Sequence, residues 1–222
     1  MTETTVAHAE VIRRTEAHIR ELLAQDSSGH DWWHIHRVRA SALAIGRRED
    51  ADLFVVELAA LLHDVADWKF HGGDENVGPR RAVEWLKSLG LDQATADRVG
   101  QIVSEVTFKG AGVATRPSTL EGCVVQDADR LDAVGAIGIA RAFAYGGHAG
   151  RAIHDPTVSP EEHASFAAYK SSTGPTINHF YEKLLLLKDR MNTDAGRALA
   201  QQRHRVMEDF LTEFFAEWEG ER

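Results

Sequence analysis

The chain has 222 residues, a net charge of −9 at neutral pH and one cysteine, Cys123. That length suits a single sizeable core; the acidic balance argues against a general nucleic-acid binder, which needs a basic surface. One cysteine excludes an internal disulfide or a thiolate zinc cluster.

Helical periodicity dominates from the start. Val11, Ile12, Ile19, Leu22 and Leu23 form the apolar stripe of a first helix. A second helix, with Asp26, Ser27 or Ser28 as candidate caps, carries His34, Val38, Ala42 and Ile45 on one face. A third runs from about Asp52 to Val65 and is apolar nearly all round, so it should be central and buried. Further helices are expected from Gly78 to Leu89, stopped by Gly90, and from Gln93 to Val106. Phe108 to Thr119 reads as a loop, and Thr119 then opens a helix running through Asp129 to Phe143.

From Tyr145 to Pro175 the pattern breaks under repeated glycine and proline, leaving room for a short helix near Glu161 to Lys170. Such long irregular segments often act as lids. The segment also holds His148 and His154, to which the pattern assigns no role. Two long helices close the chain, one lined by Ile177, Phe180, Tyr181, Leu184, Leu185 and Leu187, the other by Val206, Met207, Phe210, Phe214 and Trp218. The expected fold is all-α, a single compact domain over 1–222. No apolar run approaches membrane-spanning length, and Met1 to His8 lacks the pattern of a signal peptide, so a soluble cytoplasmic protein with no membrane partner is expected.

The chemistry concentrates at Leu61-Leu62-His63-Asp64. An imidazole and a carboxylate are good divalent-metal ligands, and both are costly to bury without a partner. His34 upstream and the crowded Asp127, Asp129 and Asp132 downstream are the candidates to join them. Residue spacing alone leaves the choice among the three aspartates open, although Asp129 and Asp132 can share a helix face. His30 rivals His34, one turn earlier.

Four blocks in order, Asp31-Trp32-Trp33-His34-Ile35-His36-Arg37-Val38, Leu61-Leu62-His63-Asp64-Val65-Ala66-Asp67-Trp68-Lys69, Gln126-Asp127-Ala128-Asp129-Arg130-Leu131-Asp132-Ala133 and Asn178-His179-Phe180-Tyr181-Glu182-Lys183-Leu184, resemble the HD superfamily of metal-dependent phosphohydrolases. They are similar to one bacterial branch of stand-alone HD proteins akin to small nucleotide pyrophosphohydrolases. The resemblance covers Ser27 to Trp218 and implies a helical HD-domain fold, in which the irregular segment 145–175 is the expected lid. It implies His34, His63, Asp64 and Asp129 as metal ligands, with Asp132 supporting the site or pairing with Arg130. Mixed imidazole–carboxylate ligation suits Mn²⁺ or Mg²⁺, and Fe²⁺, Zn²⁺, Ni²⁺ or Co²⁺ are also compatible.

Asp67, one turn after His63, matches the acidic position that orients or deprotonates the attacking water in a nucleotide-hydrolysing branch, and Asp64 is the other catalytic candidate. Arg37, Lys69, Lys109, Arg130, Lys183 and His179 are the candidate substrate contacts. Lys109 is drawn in because a Gly-containing loop lets backbone N–H groups approach an anion. His71 has no assigned role beyond keeping a two-metal site in view. The implied reaction is hydrolysis of a nucleoside triphosphate to monophosphate and pyrophosphate by a metal-activated water. A phosphomonoesterase acting on 5′-nucleotides or another phosphorylated metabolite, and a non-catalytic metal- or nucleotide-binding module, are the competing readings. The partner in each case is a small phosphorylated molecule, and no motif encodes an oligomeric state.

Overall fold

The computed structural model describes residues 3–24, 31–66, 74, 76–106, 116–161 and 174–222. Among the described residues every regular element is helical. In chain order they are α1 (Glu3–Leu22), α2 (Trp32–Arg48), α3 (Leu53–Leu62), α4 (Val77–Ser88), α5 (Gln93–Val106), α6 (Leu120–Asp132), α7 (Gly135–His148), α8 (Thr176–Glu182), a 3₁₀ helix η1 (Leu184–Arg190) and α9 (Asp194–Trp218).

By packing, the chain divides into two compact units. Among the described residues, the first takes in those up to 106 and 116–128, and the second those from 129 to 222. The boundary falls within α6, which is continuous across it.

In the first unit α3 is the central element, packed against α1, α2 and α5, while α4 lies on α5. Its side chains from Leu58 to Leu62 are fully buried, which is what an all-round apolar sequence requires. Each of Leu58, Leu61 and Leu62 contributes about 2 kcal/mol by leaving water. The Asp52 carboxylate caps α3, accepting from the N–H groups of Phe54 and Val55 at 3.2 and 3.3 Å. The expected face of α2 is borne out, since His34, Val38, Ala42 and Ile45 are all buried. Its start is not: the cap is Asp31, whose carboxylate accepts from His34 N–H at 2.9 Å, and not Asp26, Ser27 or Ser28. On α1, Ile12 and Ile19 reach the core, but Leu22 is exposed.

In the second unit α9 packs against α7 and η1, and α8 against η1 and α7. Phe143, Phe180 and Phe210 meet at ring-centroid distances of 5.8–6.0 Å and form its aromatic centre. Two expected helices are broken here. The continuous helix from Thr119 to Phe143 is instead α6 and α7, separated at Gly135, which takes φ +76°, a conformation costly for any residue with a Cβ. The first of the two long closing helices is the seven-residue α8 followed by η1. Three residues per turn place Leu184 and Leu187 on one side, where both are buried, and leave Leu186 outside. Helix α7 extends to His148, so the irregular segment begins later than Tyr145, and only 149–161 and 174–175 of it are described. Asp67, Trp68, Lys69, His71, Lys109 and the expected short helix near Glu161 to Lys170 lie outside the described residues, apart from Glu161 itself.

Candidate metal centre

The site is built on the ends of helices. Because Asp31 caps α2, His34 occupies the third helical position and turns inward, with only 2% of the residue exposed. His63 is the C-cap of α3, still in helical conformation at φ −60° and ψ −30°, and is also buried. Its Nδ1 lies 2.9 Å from the carbonyl oxygen of Ala60. A carbonyl can only accept, so Nδ1 carries the proton, and in its neutral form the ring presents the lone pair of Nε2.

That lone pair points at its counterpart. His63 Nε2 and His34 Nε2 are 3.3 Å apart. Asp64 Oδ2 lies 3.5 Å from His34 Nε2 and 3.6 Å from His63 Nε2. Two imidazole nitrogens and a carboxylate oxygen at the corners of so small a triangle can share a proton or a cation. The donor set, two imidazoles and a carboxylate, is one that divalent transition metals accept. Asp129 belongs to the same constellation: single ligand atoms of His34, His63 and Asp129 all lie within 4.8 Å of one another, a cluster able to hold a metal ion. Fixing the protonated nitrogen of His63 through a backbone carbonyl is also the usual way in which a protein orients a ligating imidazole.

The three neighbouring aspartates of α6 take different roles. Asp127 is fully buried. Asp129, half-buried, faces the histidines. Asp132, only 3% exposed, is ion-paired with Arg141 of α7, the partner that sequence reasoning had sought in Arg130. Arg130 instead donates to the carbonyl of Arg190. Arg203 of α9, which no motif singled out, donates to the carbonyl of Leu131. It is also crowded against Gly135, where an added Cβ would sit 2.9 Å from the Arg203 Cβ. The signal that could have found it is the placement of an arginine on the buried side of a long amphipathic helix, which is weak in a chain with many surface arginines.

Lys183 is the C-cap of α8, with burial holding its ammonium below its usual range while the nearby Asp129 carboxylate pulls it back up. Arg37 and His179 are half-buried on α2 and α8. His148 is exposed at the end of α7, and His154 sits edge-on to Phe214, Phe215 and Trp218 at 4.8–5.9 Å. Among the described residues no helix is long and apolar enough to cross a membrane.

Comparison with known proteins gives the family. Residues 32–134, which carry His34, His63, Asp64 and Asp129, match the HD domain model. The chain is 41% identical over 194 residues to YpgQ of Bacillus subtilis, covering 87% of this chain and 86% of that protein. A solved HD-superfamily hydrolase from Bacillus thuringiensis superposes with TM-score 0.77 at 42% identity, over 96% of this chain and 99% of that one. The structure of Bacillus subtilis YpgQ in complex with ADP superposes with TM-score 0.75 at 35% identity, over 95% of this chain and 96% of that one. On these matches the chain belongs to the HD superfamily, in the branch of stand-alone bacterial proteins that includes YpgQ.

Proposed function

We propose that the protein is a metal-dependent phosphohydrolase that converts nucleoside triphosphates to monophosphates and pyrophosphate. The observation that carries this reading is the convergence of His34 Nε2, His63 Nε2 and Asp64 Oδ2 at separations of 3.3–3.6 Å. Asp129 completes the ligand set. A divalent ion held there, Mn²⁺ or Mg²⁺ in the first instance, supplies a Lewis acid and lowers the pKa of adjacent water.

The chain's own groups do the rest. Asp64, with 29% of its side chain exposed, is the ligand that also faces the incoming water. Asp67 orients the attacking water or accepts its proton, a role that the family resemblance implies for the acidic position after the His63–Asp64 doublet. Lys183 and Arg130, with His179 and Arg37, hold the phosphates and offset charge developing in the transition state. Lys69 and Lys109 are assigned to the same task on sequence pattern. The ADP bound to YpgQ supports a nucleotide as the substrate class.

The test is hydrolysis of a panel of ribo- and deoxyribonucleoside triphosphates and monophosphates with Mn²⁺, Mg²⁺, Zn²⁺ or Fe²⁺, resolving pyrophosphate from orthophosphate. Metal-dependent pyrophosphate release that disappears in Asp64→Ala is the expected result. Orthophosphate released from monophosphates, with triphosphates untouched, would replace this reading with a phosphomonoesterase.

A further inference from the structure

Helices α2 and α3 are joined by only four residues, Glu49 to Asp52, and pack on each other as an antiparallel pair. Three rungs tie them together along their length. Near the connection, Gly46 lies so close to α3 that an added Cβ would be 3.0 Å from Leu53 Cδ2. At the far end His34 faces His63. Between these two rungs, Arg39 of α2 donates from Nε and Nη2 to Glu57 Oε1 at 2.8 and 2.5 Å.

The same guanidinium donates from Nη1 to Glu16 of α1 at 2.7 Å. The other oxygen of Glu16 meets Arg20 at 2.9 Å, and the Arg20 guanidinium lies 4.4 Å from the Trp32 ring centroid, at the start of α2. The network therefore leaves α2 one and a half turns after His34, crosses α3 and α1, and returns to α2 just before it. Arg39, Glu57 and Glu16 are all largely covered, with 19–27% of each side chain exposed. A planar guanidinium bridging two carboxylates has strict directional demands, unlike the aliphatic contacts around it, which tolerate sliding.

We propose that the Arg39–Glu57 pair, anchored by Glu16, is a positioning device: it sets the register of α2 against α3 and so the separation of the two imidazole donors. The physical need is plain. A slip of one residue along a helix is a 1.5 Å translation with a 100° rotation, enough to turn one imidazole away from the other. Neither Arg39 nor Glu57 touches the donor atoms; each acts through the helix that carries its histidine.

The inference concerns the donor geometry itself, and it bears on catalysis only through the metal role proposed above. The test uses Arg39→Met, Glu57→Gln and the double variant in the full chain, with two readouts. One is Mn²⁺ affinity by calorimetry below each variant's unfolding range; the other is the His34–His63 Nε2 separation in crystals. Each single variant should bind Mn²⁺ roughly tenfold more weakly, with the double no worse than the singles, because the pair acts as a unit. The separation should lengthen from 3.3 Å to beyond hydrogen-bonding distance. Lower melting temperatures with unchanged Mn²⁺ affinity and unchanged separation would overturn the proposal and leave a purely structural ion pair. Effects that simply add would also overturn it. Glu57→Gln keeps a hydrogen-bonding side chain and guards against outright unfolding. If the wild-type protein bound no Mn²⁺, the metal reading would fail, while the crystal separation would still decide the positioning role.

Discussion

Asp64 and Asp132 both stand at the C-terminal end of a helix, where the helix dipole disfavours a negative charge, and both are withdrawn from water. Their neighbours differ in kind. Asp132, almost wholly buried, is met by the guanidinium of Arg141, a cation that cannot give up its proton. Asp64 is met by the Nε2 atoms of two imidazoles, groups that offer lone pairs when neutral. The first arrangement carries its own counter-charge and serves to join α6 to α7. The second places its carboxylate beside groups able to bind an exchangeable cation, and it stays partly open, with 29% of its side chain exposed. Two aspartates at helix ends thus differ in the chemistry of their neighbours, a guanidinium for the buried one and imidazoles for the more open one.

The largest expected effect breaks this contrast on the chemical side. Asp64→Ala should lower metal-dependent hydrolysis by roughly 10³-fold, since a metal's stabilisation of transition-state charge amounts to several kcal/mol. Its melting temperature without metal should stay near that of the wild type. Activity within threefold of wild type would remove Asp64 from the ligand set.

On the structural side, Arg141→Met leaves Asp132 buried beside an apolar chain and should cost about 3 kcal/mol in urea unfolding. The double variant Arg141→Met with Asp132→Leu should recover most of that loss. If the two changes were instead additive, the ion pair would not be what secures this end of α6.

A third variant examines the break between α6 and α7 directly. Gly135→Ala forces φ +76° on a residue with a Cβ and presses that Cβ against Arg203. It should cost about 1–2 kcal/mol, read as a lower denaturation midpoint. A neutral result would mean that the turn relaxes without penalty.

The smallest effect expected is that of Asp31→Ala, which removes the α2 cap and should cost about 1 kcal/mol. Metal affinity should fall with it, because the same carboxylate holds the His34 backbone N–H. Unchanged affinity would show that packing alone orients His34.

The sequence was readable wherever one local rule dominated. The all-round apolar run of α3 could only be a buried central helix, and Gly90 ended α4 as its positive φ requires. The His63–Asp64 doublet beside Leu62 marked a candidate site because a buried imidazole such as that of His63 needs a partner. Reading failed where local signals competed. Asp26, Ser27, Ser28 and Asp31 are all competent caps, and only the packing of α2 selects Asp31. The helical pattern through Asp129 to Phe143 does not announce its break, because an isolated glycine such as Gly135 inside a helical pattern is tolerated at a cost of about 1 kcal/mol and is no certain stop. Likewise, four consecutive leucines do not distinguish an α-helix from the 3₁₀ geometry of η1.

What the sequence determined by itself was the helical class, the buried character of α3 and the His63–Asp64 doublet as a candidate site, since each follows from periodicity or from the cost of burying a polar group. What only the tertiary structure decided was partnership: that Asp132 is paired with Arg141, that Arg203 meets the end of α6, and that Arg39 bridges Glu57 and Glu16. Those pairings join residues from 9 to 72 positions apart. No local rule spans such distances, and a charged side chain has the same composition and spacing whether it ends in water or against its counter-ion.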